Sequence, residues 1–133
     1  MNEQEWKAVT DALRDRDNAS RWVAATLKLH ETATQEDLPR LMKLLTDGDF
    51  LVREAAAWPI AELAGPAVLP ELLQALQRGF DEGYDNDGFQ TTLADLVVAN
   101  RTQARDVLTR LANSSDKATR ENAAWLLEYC ETP

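Results

Sequence analysis

The sequence REAAAW at residues 53–58 recurs as RENAAW at residues 120–125, with five of six positions identical. The two stretches lie 67 residues apart, which corresponds to about two repeat units of 33–34 residues. A weaker copy of the pattern, an aspartate followed by an arginine and an alanine pair, begins at Asp17 and aligns with residues 49–57 at an offset of 32. Similarity at such a period is typical of repeat proteins, in which each unit buries the apolar face of its neighbour.

A leucine-rich element repeats between these copies, as LPRLMKLL at residues 38–45 and as LPELLQAL at residues 69–76. Its apolar residues recur at i, i+3, i+6 and i+7, which places them on one face of a helix, and the same stripe begins earlier at Trp6. The proline suits the first turn of a helix, and no segment shows the alternation of a half-buried strand. The pattern predicts an all-α chain of eight helices, at residues 3–15, 18–30, 36–46, 50–64, 67–78, 89–100, 103–113 and 117–130.

The aspartates and arginines of the first motif predict how its helices begin. Asp49 and Asp116 are expected to act as N-caps, and the alanine pair offers a small face on which another helix can pack closely. The repeated arginines, Arg21, Arg53 and Arg120, each follow an aspartate by four residues, a spacing that permits an ion pair on one helix face. We interpret these residues as structural.

The pattern Asp-x-x-Val-Arg-x-x-Ala-Ala at residues 49–57, followed by Leu-Pro-x-Leu from Leu69 to Leu72, resembles the HEAT-like repeat family. The resemblance covers nearly the whole chain and is strongest over residues 36–78 and 107–130. It implies an α-solenoid of about four HEAT-like helical pairs, forming a single domain over residues 1–133. It also implies that the repeated arginines form a ladder between neighbouring units.

The composition restricts the classes of partner. The chain has 23 acidic and 14 basic residues and a formal net charge of −9. Because a phosphate-binding surface needs a concentrated basic footprint, nucleic acid is not an expected partner. No apolar run approaches the roughly 20 residues that span a bilayer, so no membrane is expected either. The polar N-terminal stretch is no signal peptide, and a single cysteine, Cys130, fits a reducing compartment, so we expect a cytoplasmic location.

Residues 80–88 form an acidic insertion relative to the repeat pattern, and residues 79–100 contain five acidic residues and no lysine, arginine or histidine. Insertions in solenoids map to loops that often bind partners, and aromatic anchors beside carboxylates suit a basic protein. The predicted partner-binding residues are Asp81, Glu82, Tyr84, Asp85 and Asp87. In the alternative interpretation, the segment is a polar connector whose Phe80 and Phe89 fold back into the core.

Trp22 is a further predicted partner-binding residue. It aligns with Glu54 and Glu121, at a repeat position that is normally solvated. An exposed tryptophan is a candidate hot spot, although the end of a solenoid could also use it as a hydrophobic cap.

Sites for metals, cofactors and catalysis are not expected. The stretch DNDG at residues 85–88 resembles part of a calcium loop, but the first and last ligands of an EF-hand would fall at Gly83 and Ala94, whose side chains cannot coordinate a cation. The single histidine, His30, and the single cysteine cannot assemble a zinc cluster. The sequence also contains neither a glycine-rich phosphate loop nor a Gly-x-Ser-x-Gly motif.

These observations predict a non-catalytic protein-binding module, for example a stoichiometric inhibitor of a basic protein. Small HEAT-like chains are similar to some bacterial immunity proteins, which implies a toxin as the partner. Two alternatives stay open. One is an enzyme similar to the HEAT-repeat phycobilin lyases or alkylpurine DNA glycosylases. The other is a structural assembly factor or a homodimer formed through terminal units, where the last helix carries the apolar residues Trp125, Leu126, Leu127, Tyr129 and Cys130.

Overall fold

A computed structural model describes residues 1–131, and every regular element in this range is helical. The α-helices are α1 (Glu3–Leu13), α2 (Ala19–Thr32), α3 (Leu38–Leu45), α4 (Phe50–Ala64), α5 (Leu69–Asp81), α6 (Asp87–Ala99), α7 (Arg101–Leu111) and α8 (Lys117–Glu131). Short 3-10 turns precede α3 and α5, at Gln35–Asp37 and Gly65–Val68. The predicted all-α class is confirmed, and each of the eight predicted helices overlaps an observed one.

The helix starts follow the sequence signals. The backbone N–H of Leu51 donates to Asp49 Oδ1 at 2.9 Å, and that of Thr119 donates to Asp116 Oδ2 at 3.0 Å. Both side chains therefore satisfy a backbone donor in the first turn of their helix, as an N-cap does. The two predicted N-caps are confirmed.

The repeated arginines also fix helix starts, through hydrogen bonds to the turn before each helix. The observed acceptors are Asp15 Oδ2 for Arg21 at 3.0 Å, the backbone oxygen of Asp47 for Arg53 at 2.8 Å, and the backbone oxygen of Ser114 for Arg120 at 3.1 Å. Each acceptor lies six residues before its arginine, in the turn that precedes the helix. The hydrogen bonds of Arg21 and Arg120 therefore reach back past the aspartate four residues earlier to the turn. The pKa of Asp116 is lowered mainly by hydrogen bonds from Thr119, and the charge of Arg120 adds to this effect as the i,i+4 spacing predicted.

The chain divides into two compact units, Met1–Leu63 and the residues from Ala64 onward. In the first unit, α1 packs along α2. The guanidinium of Arg40 in α3 lies 4.2 Å from the ring centre of Trp6 in α1, and the ring of His30 in α2 stacks on Trp58 in α4 at 3.5 Å. The core of this unit includes the fully buried side chains Leu13, Leu29, Leu41, Val52 and Ile60.

In the second unit, α8 packs against α5, α6 and α7. The side chain of Asn122 in α8 donates to Gln77 Oε1 in α5 at 3.1 Å, and Arg105 in α7 donates to the backbone oxygen of Cys130 at 2.8 Å. The buried side chains of α8 are Ala123, Leu126 and Cys130. The apolar residues of this last helix therefore serve the core of their own unit, which leaves fewer of them for self-association than the sequence suggested.

Candidate protein-interaction surface

The predicted binding residues of the second unit lie at the corner between α5 and α6. The two helices extend into the predicted loop from both sides, so residues 82–86 connect them, instead of the longer segment 80–88. Asp81, Glu82, Tyr84, Asp85 and Asp87 are all exposed. Together with Phe80, which is also exposed, we call these residues the acidic corner.

The backbone of the acidic corner is fixed by a Schellman motif at the end of α5. Gly83 has a φ of +81°, in the left-handed region that strongly favours glycine. Its N–H donates to the backbone oxygen of Phe80 at 3.0 Å, and the N–H of Tyr84 donates to that of Gly79 at 3.0 Å. Both bonds satisfy carbonyls that the helix end would otherwise leave free. The direction in which the chain leaves α5 is thereby defined.

Asn86 anchors the other side of the turn. Its side chain is buried, and Nδ2 donates to the backbone oxygen of Leu76 in α5 at 2.9 Å. The amide lies directly over Gly79, where an added Cβ would come within 2.4 Å of Asn86 Oδ1. Glycine is therefore needed at position 79 for the turn to close against α5.

The two phenylalanines of this region have opposite environments. Phe89 is fully buried, as the connector interpretation predicted, whereas Phe80 is 42% exposed. Tyr84 is exposed to a similar extent, at 43%. One aromatic side chain thus holds α6 in the core, and two others remain at the surface among the carboxylates.

Three of the four carboxylates in the acidic corner form a hydrogen bond or an ion pair with nearby residues of α5 or α6. The contacts are from Gln77 Nε2 to Asp81 at 2.8 Å, between Arg78 Nε and Glu82 at 3.2 Å, and from the N–H of Asp87 to Asp85 Oδ1 at 2.9 Å. Asp87 stands in the first turn of α6, where the helix dipole favours a negative charge. Four carboxylates and one guanidinium leave the corner with a negative charge, and such a surface attracts cationic groups.

Trp22 lies in the first unit and is not the exposed residue that its repeat position predicted. It is half-buried in the first unit, and its indole Nε1 donates to the backbone oxygen of Leu51 in α4 at 3.2 Å. The indole lies against α4, and its one hydrogen-bond donor is already used. The prediction of a solvated side chain is wrong because α2 turns this position towards the next repeat.

The thiol of Cys130 and the imidazole of His30 lie in surroundings that suit a structural role. Burial raises the pKa of the Cys130 thiol, which keeps this side chain protonated. His30 Nε2 lies 2.7 Å from Glu62 Oε2 while its ring stacks on Trp58. Within residues 1–131, no group of three or more histidine, cysteine, aspartate or glutamate side chains is placed to hold a metal ion. None of the helices in this range is long and apolar enough to cross a membrane.

Comparison with known proteins identifies the family. Residues 7–84 match a family model described as HEAT repeats, which is more than half of the chain. The chain belongs to the HEAT repeat family. No curated protein and no solved structure gives a significant match to it. The all-α solenoid class inferred from the repeated motifs is thus confirmed, and HEAT repeats commonly serve as protein-interaction modules.

The match to HEAT repeats ends at Tyr84, inside the acidic corner. Sequence reasoning identified the exposed acids and Tyr84 but missed the roles of Phe80, Gly83 and Asn86. Two signals were available, since a glycine after a helix often marks a left-handed C-cap and an asparagine before a helix often has a local structural role. Neither signal could show that Asn86 reaches back to α5.

Proposed function

We propose that this HEAT repeat protein is a non-catalytic module that binds a basic segment of another protein at the acidic corner. The observation that carries the proposal is that Phe80 and Tyr84 remain about half exposed on a turn with a fixed backbone, among four exposed carboxylates. Large aromatic side chains on a preorganised turn offer apolar contact area with little entropy left to lose on binding. Large aromatic side chains are usually buried for most of their area, so two exposed ones on the same turn stand out.

The charge distribution selects the chemistry of the partner. Five acids and no basic residue occur in residues 79–100, and the chain as a whole carries a net charge of −9. The resulting negative electrostatic potential speeds the encounter with a basic protein and disfavours an acidic one. Arginine fits better than lysine, because a guanidinium can stack on an aromatic ring while donating two hydrogen bonds to one carboxylate.

Within this role, we propose that the protein is a cytoplasmic, stoichiometric inhibitor of the immunity type. Its target would be a basic protein such as a toxin that acts on a phosphate-containing substrate. Carboxylates held on a rigid turn can occupy the positions in which the target binds substrate phosphates, so a single contact could both bind and inhibit.

A capture experiment with three forms of the tagged chain tests this proposal. The corner variant carries Asp81→Asn, Tyr84→Ser and Asp87→Asn. The control carries Glu71→Gln and Asp95→Asn, which remove the same amount of charge from exposed positions outside the corner. We expect the wild type and the control to retain one basic protein at a 1:1 ratio and the corner variant to lose it.

The activity of the captured protein is then measured as a second test. One equivalent of wild-type chain is expected to abolish its activity, whereas the corner variant should leave the activity intact. Absence of any basic protein at a stoichiometric level, or equal retention by the corner variant, would contradict the proposal.

A further inference from the structure

The helices α2, α4 and α8 carry the same repeat motif but bury different sides of it. In α4, both alanines of the pair at residues 56–57 are fully buried. In α8, Ala123 is buried and Ala124 is exposed, whereas in α2 the aligned Ala24 is exposed and Ala25 is buried. The helices α2 and α8 therefore each leave one small face uncovered, that of the first alanine of the pair in α2 and that of the second alanine in α8.

The uncovered face of α2 belongs to an open groove between α1 and α2, with a volume of about 320 Å³. The floor of the groove consists of small apolar side chains, namely Ala8, Val9, Ala12 and Ala25, and Glu5 of α1 also lines the groove. Its wall on α2 is formed by Arg21, Ala24 and Lys28, which we call the basic triplet. All three residues of the triplet are exposed.

The uncovered face of α8 has the complementary charge. Glu121, Ala124 and Glu128 are exposed on this helix, and we call them the acidic triplet. Their spacing of three and then four residues is the same as that of the basic triplet. In each triplet an alanine stands between two like charges, and the charges are opposite in the two triplets.

We propose that the acidic triplet of one copy docks along the basic triplet of a second copy, so that α8 of the first occupies the α1–α2 groove of the other. The central alanines let the two helices approach closely, and each carboxylate then faces a cation. The contact joins two different surfaces, so the first copy keeps a free groove and the second copy keeps a free α8 face. The proposal does not depend on the acidic corner.

Two ion pairs within the chain have to break before the two copies can dock in this way. Arg21 Nη1 lies 3.0 Å from Asp15 Oδ2, and Lys117 Nζ lies 3.8 Å from Glu121 Oε1. The pair between Lys117 and Glu121 is largely exposed and that between Arg21 and Asp15 is partly exposed, and ion pairs in contact with solvent are weak enough to exchange partners. The net charge of −9 opposes association at long range, so the complementary triplets have to determine where two copies meet.

Sedimentation velocity with two charge-reversed forms of the full chain tests the contact. The first form is R21E/K28E and the second is E121K/E128K, and each alone brings like charges together at the contact. We expect the wild type to exceed 14.9 kDa increasingly as its concentration rises, and each variant alone to sediment as a monomer of 14.9 kDa. In a 1:1 mixture, the acidic α8 of the first variant fits the basic groove of the second, and the basic α8 of the second fits the acidic groove of the first, so we expect association to return.

Two further variants separate the contact from general effects of charge and folding. E71K/D95K changes the net charge as much as E121K/E128K does, at exposed positions outside both triplets, and should associate like the wild type. Ala124→Gln changes no charge but blocks the close approach, and should reduce association while the helical circular dichroism stays unchanged. A wild-type chain that remains monomeric at its solubility limit, or a mixture of folded variants that stays monomeric, would overturn the proposal.

Discussion

Arg14 and Asp47 form a bidentate ion pair between residues that are 33 positions apart, with distances of 3.0 Å from Nη1 to Oδ1 and 2.7 Å from Nη2 to Oδ2. A second pair with the same spacing joins Arg16 Nη2 to Asp49 Oδ2 at 3.1 Å. This separation is the repeat period, so both pairs connect equivalent turns of neighbouring repeats. A ladder between neighbouring repeats therefore exists in the first unit, and Arg14 and Arg16 form it.

We expect Asp47→Asn to lower the free energy of unfolding by about 1 kcal/mol, because a bidentate pair with a mostly buried carboxylate is stronger than an exposed one. The hydrogen bond from Arg14 holds the pKa of Asp47 below its ordinary value, although burial acts in the opposite direction. Asp11→Asn is the control, since the pair between Lys7 and Asp11 is exposed. Urea unfolding of both variants measures the difference, and equal losses would show that the link between repeats adds no stability.

Asp37 makes stability depend on pH in the acid range. Burial alone would raise its pKa, but hydrogen bonds from the Thr34 N–H, from Arg40 and from the Met1 ammonium outweigh this effect and lower the pKa to about 2. Because the pKa is lower in the folded state, the stabilisation is complete above the ordinary value of 3.8 and is lost as the pH falls through about 2. Asp37→Asn should therefore cost about 2 kcal/mol at pH 7.

The pH profile distinguishes this mechanism from a simple loss of packing. Free energies of unfolding for the wild type and Asp37→Asn should converge between about pH 4 and pH 2. A difference that stays constant down to pH 2 would mean that the ionised state of Asp37 is not the source of the stability.

Gly79→Ala should destabilise the protein by about 1–2 kcal/mol, although alanine is normally the better helix former by about 1 kcal/mol. The new Cβ would overlap Asn86 Oδ1 and force this side chain away from its bond to Leu76. The same substitution in an Asn86→Ala background should cost much less, since the obstacle is then absent. Thermal unfolding of the four forms completes a double-mutant cycle, and strictly additive effects would contradict the anchoring role of Asn86.

Trp22→Phe tests whether this residue is structural or part of a binding surface. The substitution keeps an aromatic ring but removes the hydrogen bond to Leu51, so we expect a loss of about 1 kcal/mol in stability and unchanged retention of the captured partner. If the partner were lost while stability stayed the same, the original prediction of a binding hot spot would be correct instead.

Much of the fold was predictable because local signals and repeat periodicity agree along most of the chain. The leucine stripe and the arginine–alanine motif together predicted eight helices, each of which overlaps an observed one, and the aspartates at positions 49 and 116 identified two N-caps. The predicted bounds failed mainly around α5 and α6, where acidic composition suggested a long loop. The Schellman turn at Gly83 and the buried Asn86 shorten this connection, and both depend on contacts with the preceding helix.

The candidate site was predictable in its charges but not in its geometry. Composition indicated the exposed carboxylates, whereas the fates of Phe80 and Phe89 depend on which side of each helix meets the core. The partner of a repeated arginine could not be read from i,i+4 spacing, because the side chain reaches the turn before the helix.

The most direct test of the binding surface is a nuclear magnetic resonance titration of the ¹⁵N-labelled chain with an eight-arginine peptide. We predict that the largest amide shifts fall within residues 80–89, and that the corner variant loses them while the Glu71→Gln/Asp95→Asn control keeps them. Shifts that spread evenly over the acidic helices, or that cluster away from the acidic corner, would contradict the account.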